Sequence, residues 1–267
     1  LLRYVADTVS ESGLAAYPSS TQERFKADVV PEDQRWIYPL ATASLFSNRY
    51  RTYRNLAGYA LSEDVQLGLS SAIRIRSPLK ALGSSVNLIL LGSYLAYRSA
   101  YGRDGLLEVA GGWQSRYRPD ESTLRDRAYL VRARIATPYL GFGRFVNRND
   151  WIMYDDSVRA YPLSLGGHNG LRGYSSQQFL SFGGRRIRSN IEFRSAPVRL
   201  FTARGGVVGF YDAGMLYGGS FETGLRQSVG VGLRMVIPQA SRFTYRFDFG
   251  VPVDGTGFMV TLSGETN

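Results

Sequence analysis

From Asp64 onward apolar and polar residues alternate one by one through much of the chain, and this constrains the fold more than any other feature. Period-two alternation is the pattern of a β-strand whose two faces meet different surroundings. Val65, Leu67, Leu69, Ile73 and Ile75 are expected to share one face, with Gln66, Ser70, Arg74 and Arg76 on the other. The same reading sets Leu107, Val109, Trp113 and Tyr117 against Glu108, Gln114, Arg116 and Arg118, and Tyr129, Val131, Ala133 and Ile135 against Arg132 and Arg134. It sets Ile187, Ile191 and Phe193 against Arg186, Arg188, Asn190, Glu192 and Arg194. Val229 to Ile237, Phe243 to Val251 and Phe258 to Ser263 continue it to the C-terminal end.

Clusters of glycine, aspartate and asparagine at Tyr101–Asp104, Arg118–Ser122, Asn147–Asp150, Tyr217–Ser220 and Val253–Gly257 are predicted turns between the runs. The pattern gives about eleven strands, with a further one drawn from Leu2 to Ser10 or from Gln34 to Leu40. An even count makes this about twelve, and up to about sixteen if short strands are missed. Residues 1–40 form an N-terminal segment that reads as a short helix, a linker or a first strand, and residues 41–267 form the β domain.

A soluble β-sandwich also alternates, so the occupants of the polar face discriminate. Here that face carries charge in mid-strand, run after run, while the apolar face is aromatic and branched. This is the pattern of a transmembrane antiparallel β-barrel, with lipid outside and a polar lumen inside. No apolar run is long enough for a transmembrane helix; the longest, Val86 to Tyr97, is interrupted by Asn87, Gly92 and Ser93. The first residue, Leu1, suggests a processed product or an excised piece.

The chain has no cysteine and a single histidine, His168, which removes disulfides, thiolate sites and a histidine-based metal cluster. His168 reads as a polar loop residue. The acidic pair Asp155-Asp156 reads as rim charge rather than a catalytic pair. The net charge of +10 admits anionic partners, either nucleic acid or a membrane surface. Lysine occurs only at Lys26 and Lys80, so arginine carries this charge. Its planar fork suits fixed pairing with carboxylates or phosphates in a confined space. The Gly-Gly pairs at Gly111, Gly183 and Gly205 lack the strand-turn-helix setting of a nucleotide fingerprint.

Leu165 to Tyr174 contains four glycines in ten residues and presents one arginine, Arg172, between Leu171 and Gly173. Such density forbids a regular helix or strand interior and predicts a compact loop. The segment Leu171-Arg172-Gly173-Tyr174, preceded by Gly166-Gly167, resembles the lumen-folded loop motif of the BamA and TamA family of outer-membrane barrels, which includes two-partner secretion transporters. Five strand-like segments follow, as in that family. The first ends in Ile191-Glu192-Phe193, the second contains Phe210-Tyr211-Asp212-Ala213-Gly214, and the segment Ser228 to Pro238 is glycine-rich and ends in proline. The resemblance covers Leu165 to the C-terminus, and Asp64 to Tyr161 only as strand pattern. The chain departs from the family in ending at Asn267, where the family has a terminal aromatic.

The resemblance implies a bacterial outer-membrane barrel whose loop, residues 163–182, folds into the lumen. There Arg172 would be clamped by Glu192 and Asp212, which lie on the polar faces of consecutive strands. It further implies a non-enzymatic protein that assists insertion or translocation of polypeptides. The implied partners are the lipid bilayer and lipopolysaccharide, unfolded outer-membrane or secreted polypeptides, and a periplasmic domain or subunit outside this chain. No cofactor, metal or nucleic acid is implied. The alternative is a barrel that serves only as a membrane anchor or a small plugged pore.

Overall fold

The computed structural model describes residues 2–6, 18–20, 22–23, 35–56, 59–155, 162–167, 170–239, 243–255 and 257–266. The strands are β1 (Leu2–Ala6), β2 (Arg35–Phe46), β3 (Arg49–Arg54), β4 (Ser62–Arg76), β5 (Ile89–Tyr101), β6 (Gly105–Arg118), β7 (Thr123–Ala136) and β8 (Gly143–Asp155). They continue as β9 (Pro162–Leu165), β10 (Phe179–Phe182), β11 (Gly184–Ser195), β12 (Val198–Leu200), β13 (Ala203–Tyr217), β14 (Arg226–Val236), β15 (Phe243–Pro252) and β16 (Met259–Thr266). Fourteen of these form one antiparallel sheet, and β9 and β10 form a separate hairpin. Among the described residues no helix is long and apolar enough to cross a membrane, which says nothing of crossing by strands.

The sheet is a meander in which each long strand pairs with the next one in the chain. β3 prolongs β2 along β4 without a change of register, since Phe46 faces Ser70 and Arg49 faces Leu67. β12 folds back onto the start of β13. With β3 and β12 off the main path, twelve strands stand in a row from β1 to β16. Among the described residues no strand pairing joins β1 or β2 to β16.

The sheet curls strongly. Tyr53, Leu56, Leu106, Ala136 and Val146, contributed by β3, the loop after it, β6, β7 and β8, meet in one buried cluster. The Tyr59 hydroxyl, also beyond β3, donates to the Ser195 carbonyl at the end of β11, 2.9 Å away. The concave face holds the buried charges Glu108, Arg116, Asp126, Arg144, Asp150, Glu192, Arg194, Asp212, Arg234 and Asp248. The convex face exposes Tyr97, Val131, Val231, Leu233, Phe247 and Leu262, the last of them 76% exposed. Buried polar groups and an extended exposed apolar face are the two departures from soluble packing that carry information. The inner charges are matched locally, as in Arg98–Glu108 and Arg116–Asp126, both at 3.1 Å.

Two sequence expectations are corrected. Asn147–Asp150 is not a turn but the middle of β8; the connection before that strand lies at 137–142. Its turn-forming residues are held extended by neighbours on β11, with Asn147 Nδ2 donating to the Asn190 carbonyl at 3.3 Å and Asp150 accepting from Arg186 and Arg188. Second, Val65 and Leu67 do not share a face with Leu69, Ile73 and Ile75. They pack against the inner cluster, while the latter three are exposed outside. Gly68, at φ +87°, lies between them beside Ser47, and this left-handed residue reverses the alternation. At the N-terminal end, both stretches that the sequence offers for a first strand are strands, Leu2–Ala6 and the start of β2 from Arg35, and they pair with each other.

Candidate functional site

The glycine-rich segment lies between β9 and β10, whose pairing of Leu165 with Phe179 closes its base. Inside that base the chain turns tightly: Gly167 N–H donates to the Tyr174 carbonyl at 2.9 Å, and Tyr174 N–H to the Leu171 carbonyl at 3.1 Å. Gly167 bridges to Leu171 and takes φ +57°, the left-handed conformation that glycine adopts without steric cost. Leu163, Leu165, Leu171, Tyr174 and Leu216 form a small apolar core, against which Ile152 and Tyr154 of β8 pack. Burying a leucine such as Leu171, which is 0% exposed, contributes about 1.5–3 kcal/mol to holding the loop against the concave face.

The tip of the loop presses onto the β14–β15 wall, backbone to backbone. A Cβ on Gly173 would stand 2.7 Å from the Val251 carbonyl carbon, and one on Gly250 would stand 2.7 Å from that of Arg172. Those two glycines let Arg172 enter the charged interior. Its Nε and Nη2 donate in parallel to Asp212 at 2.8 and 2.7 Å, its backbone N–H adds a third bond at 3.1 Å, and Nη1 donates to Glu192 at 2.5 Å. The fork on Asp212 is the bidentate geometry that distinguishes arginine from lysine. The Phe210 ring centre lies 3.6 Å from the guanidinium carbon, a cation–π contact on one face of the group. Burial alone lowers the Arg172 pKa, but the bond and charge of Asp212, and then the charges of Glu192 and Asp248, outweigh it and leave it raised.

The clamp belongs to a larger network. Glu192 also accepts from Arg194 at 2.7 Å and has Arg246 at 3.5 Å; Asp248 accepts from Arg234 at 2.6 Å and lies 3.8 Å from Arg172. Asn190 Nδ2 joins Asp212 to the Gly170 carbonyl, at 2.9 and 3.1 Å. At the outer margin of the loop the Tyr174 hydroxyl donates to Asp254 at 2.6 Å, and Asp254 also accepts from Arg226 at 3.1 Å. Burial first, then the bond to Asp254 and its charge, pushes the Tyr174 pKa up to about 12. The Tyr174 bond in turn holds the Asp254 carboxyl below its ordinary value.

A second inserted segment follows β3 and reaches the same network from the opposite end of the sheet. Arg194 Nη1 donates to the Leu56 carbonyl at 2.6 Å, and Arg204 Nη1 to the Ala60 carbonyl at 3.0 Å. Asn55 caps this turn by accepting from Ala60 N–H at 2.6 Å.

All eight sequence-selected residues, Gly166, Gly167, Leu171, Arg172, Gly173, Tyr174, Glu192 and Asp212, lie in this one assembly. Sequence reasoning did not select Asp248, Arg194, Arg234, Arg246 or Phe210. The inward parity of β11, β13, β14 and β15 marks them, because each has the same facing as Glu192 or Asp212. Nothing in the sequence marks the segment after β3. Asp155 pairs with Arg127 at 2.9 Å on a half-exposed edge; Asp156 and His168 lie outside the described residues. Among the described residues no group of three or more His, Asp or Glu side chains is arranged to hold a metal. Comparison with family models and with curated proteins returned no match.

Proposed function

We propose that the chain is a non-enzymatic bacterial outer-membrane β-barrel of BamA/TamA type that assists insertion or translocation of polypeptides. The observation that carries this reading is the inverted sheet. Its convex face is an almost continuous apolar surface, whereas its concave face buries Arg144, Asp212 and Asp248 to 0–2% exposure. In water that arrangement exposes apolar area at about 25 cal/mol per Å²; against lipid the cost vanishes and the paired charges stay inside. Aromatic pairs such as Phe142–Phe193 and Phe249–Phe258 stand where such a surface would meet the head groups of lipid or lipopolysaccharide.

The client step rests on an edge. β16 has β15 on one side and, among the described residues, no strand on the other. A client strand adds there through backbone hydrogen bonds, with bilayer perturbation near the seam lowering its insertion barrier. The docked loop gives the interior a fixed wall during this exchange, and a periplasmic domain or subunit outside the chain would deliver the client. The filled concave face also supports the second reading, an anchor or small plugged pore with no client.

Folding of a small barrel client into liposomes separates the two readings. The comparison uses the full chain, its Arg172→Ala variant and empty liposomes, with heat-modifiable gel mobility as the check on folding. Client folding accelerated by the parent and slowed in the folded variant is the expected result. A client rate equal to that in empty liposomes removes the insertion role and leaves the anchor or pore.

A further inference from the structure

The concave face carries a second arrangement of charge that the loop clamp does not use. In the β7–β8 ladder Arg134 stands directly opposite Arg148, and Arg132 lies two residues along on the same face. Like charges set directly across a sheet destabilise it; Arg134 has Glu108 opposite it on β6, and Arg234 faces Arg246 in the β14–β15 ladder, a second such pair of arginines. Arg132, Arg134 and Arg148 line one cavity of about 450 Å³, which Arg246 of β15 faces from the other wall.

The charge count of that cavity is uneven. Six arginines and four carboxylates line it, and one of the arginines, Arg172, is matched by Asp212 from outside the cavity. Each carboxylate is already engaged, several of them by arginines outside the cavity: Glu108 by Arg98 at 3.1 Å, Asp150 by Arg186 at 3.2 Å, Glu192 by Arg194 at 2.7 Å and Asp248 by Arg234 at 2.6 Å. Arg134, Arg148 and Arg246 have contacts of their own within the protein, which leaves this excess of guanidinium over carboxylate at the wall unchanged.

We propose that this cavity binds a soluble anion with two or more oxyanion groups, a diphosphate or polycarboxylate. Guanidinium forks recognise phosphate and carboxylate oxygens in pairs, and arginines on two facing walls fit a ligand with an oxyanion at each end. The volume is that of a small-molecule site. The cavity opens on the concave, polar side of the sheet, away from the apolar face that would meet lipid, so the anion comes from solution and not from a bilayer head group. The site is independent of any polypeptide client.

The test is isothermal titration of the full chain, in non-ionic micelles at low salt, with inorganic pyrophosphate and separately with dihexanoyl phosphatidylglycerol. The expected result is saturable one-to-one binding of pyrophosphate, weakened about tenfold or more by Arg148→Gln and further by Arg134→Gln. Arg185→Gln should bind like the parent, since Arg185 stacks on Tyr217 away from the cavity, 5.6 Å from its ring centre. The unfolding temperature of Arg148→Gln, measured alongside, separates lost binding from lost fold, and Arg132→Gln supplies a second cavity variant. Absence of saturable heat with pyrophosphate overturns the proposal. So does undiminished binding by the Arg134→Gln, Arg148→Gln double variant, or binding of the phosphatidylglycerol alone.

Discussion

Replacing Arg172 by alanine leaves Asp212 and Glu192 in place and removes the cation between them, and the two carboxylates should not suffer equally. Glu192 keeps Arg194 at 2.7 Å. Asp212 keeps only neutral donors among the described residues, the residue-172 backbone N–H at 3.1 Å and Asn190 Nδ2 at 2.9 Å. Three charge-assisted bonds at about 1.5–3 kcal/mol each would suggest a larger loss, but that sum ignores the partners that Glu192 retains. The loss is therefore that of one stripped buried carboxylate, about 3–5 kcal/mol. Removing Asp212 as well takes away the stripped charge, so the Arg172→Ala, Asp212→Ala pair should show a coupling of about 2–3 kcal/mol. Arg172→Ala with Glu192→Ala should couple by about 1 kcal/mol or less. Urea unfolding of the full chain in micelles reads these values by tryptophan fluorescence, Trp151 reporting on β8 through its bond to the Tyr217 hydroxyl at 3.1 Å. Additivity of the Arg172 and Asp212 losses to within about 0.5 kcal/mol would refute the assignment of the cost to Asp212.

Gly173→Ala and Gly250→Ala each place a Cβ 2.7 Å from backbone that cannot yield. Both should release the loop and open residues 163–182 to limited proteolysis, while Gly209→Ala, whose Cβ meets nothing within 4 Å, should not. Tyr174 has a folded-state pKa raised to about 12, so the loop's docking is fully supported below about pH 10 and is lost as pH rises from there through about 12. Asp254 is depressed, so its share is present above about pH 4 and is lost as pH falls below it. Proteolysis of the loop against pH should show an alkaline release that Tyr174→Phe abolishes; an unchanged release in that variant would assign it elsewhere. Tyr59→Phe loses bonds to the Ser195 carbonyl and hydroxyl at 2.9 and 3.0 Å, and should cost about 1 kcal/mol in urea unfolding. A cost above about 3 kcal/mol would show that the hydroxyl, and not the packing of the ring, holds this segment.

The strand pattern and the site were legible from the same fact, since parity along a strand fixes which side chains share a face. Ile187, Ile191 and Phe193 are on the outside of β11 and Glu192 and Arg194 are within, as alternation requires. Parity failed where one residue broke the two-residue period. Gly68 reversed the faces of β4, and neither its sequence context nor the apolar residues on both sides of it distinguish it from a plain strand glycine. Composition failed at Asn147–Asp150, because turn propensity is a local preference and the partners that override it, Ser189, Asn190, Arg186 and Arg188, are some 40 residues away. The segment after β3 was illegible for a related reason. Its contacts run more than 130 positions on: the Leu56 and Ala60 carbonyls, which any residue would offer, accept from Arg194 and Arg204, and the Tyr59 hydroxyl reaches Ser195.

Glu192 connects these two illegible and legible parts. One of its oxygens receives Arg172 from the loop between β9 and β10, and the other receives Arg194, whose remaining nitrogen holds the Leu56 carbonyl beyond β3. The two inserted segments enter from opposite ends of the sheet and meet at one carboxylate. Displacing the first would leave Glu192 leaning on Arg194 alone among its close donors, which strengthens that pair and tightens the hold on Leu56. Displacing the second would remove the Leu56 carbonyl that helps fix Arg194 and leave Glu192 more fully to Arg172. The ends of the sheet are therefore coupled with one sign in both directions, as linkage requires: release of either segment favours retention of the other. Glu192→Gln, which keeps the shape and removes the charge, should make the two segments respond to proteolysis independently, whereas a Glu192 that served only to fill space would leave their coupling intact.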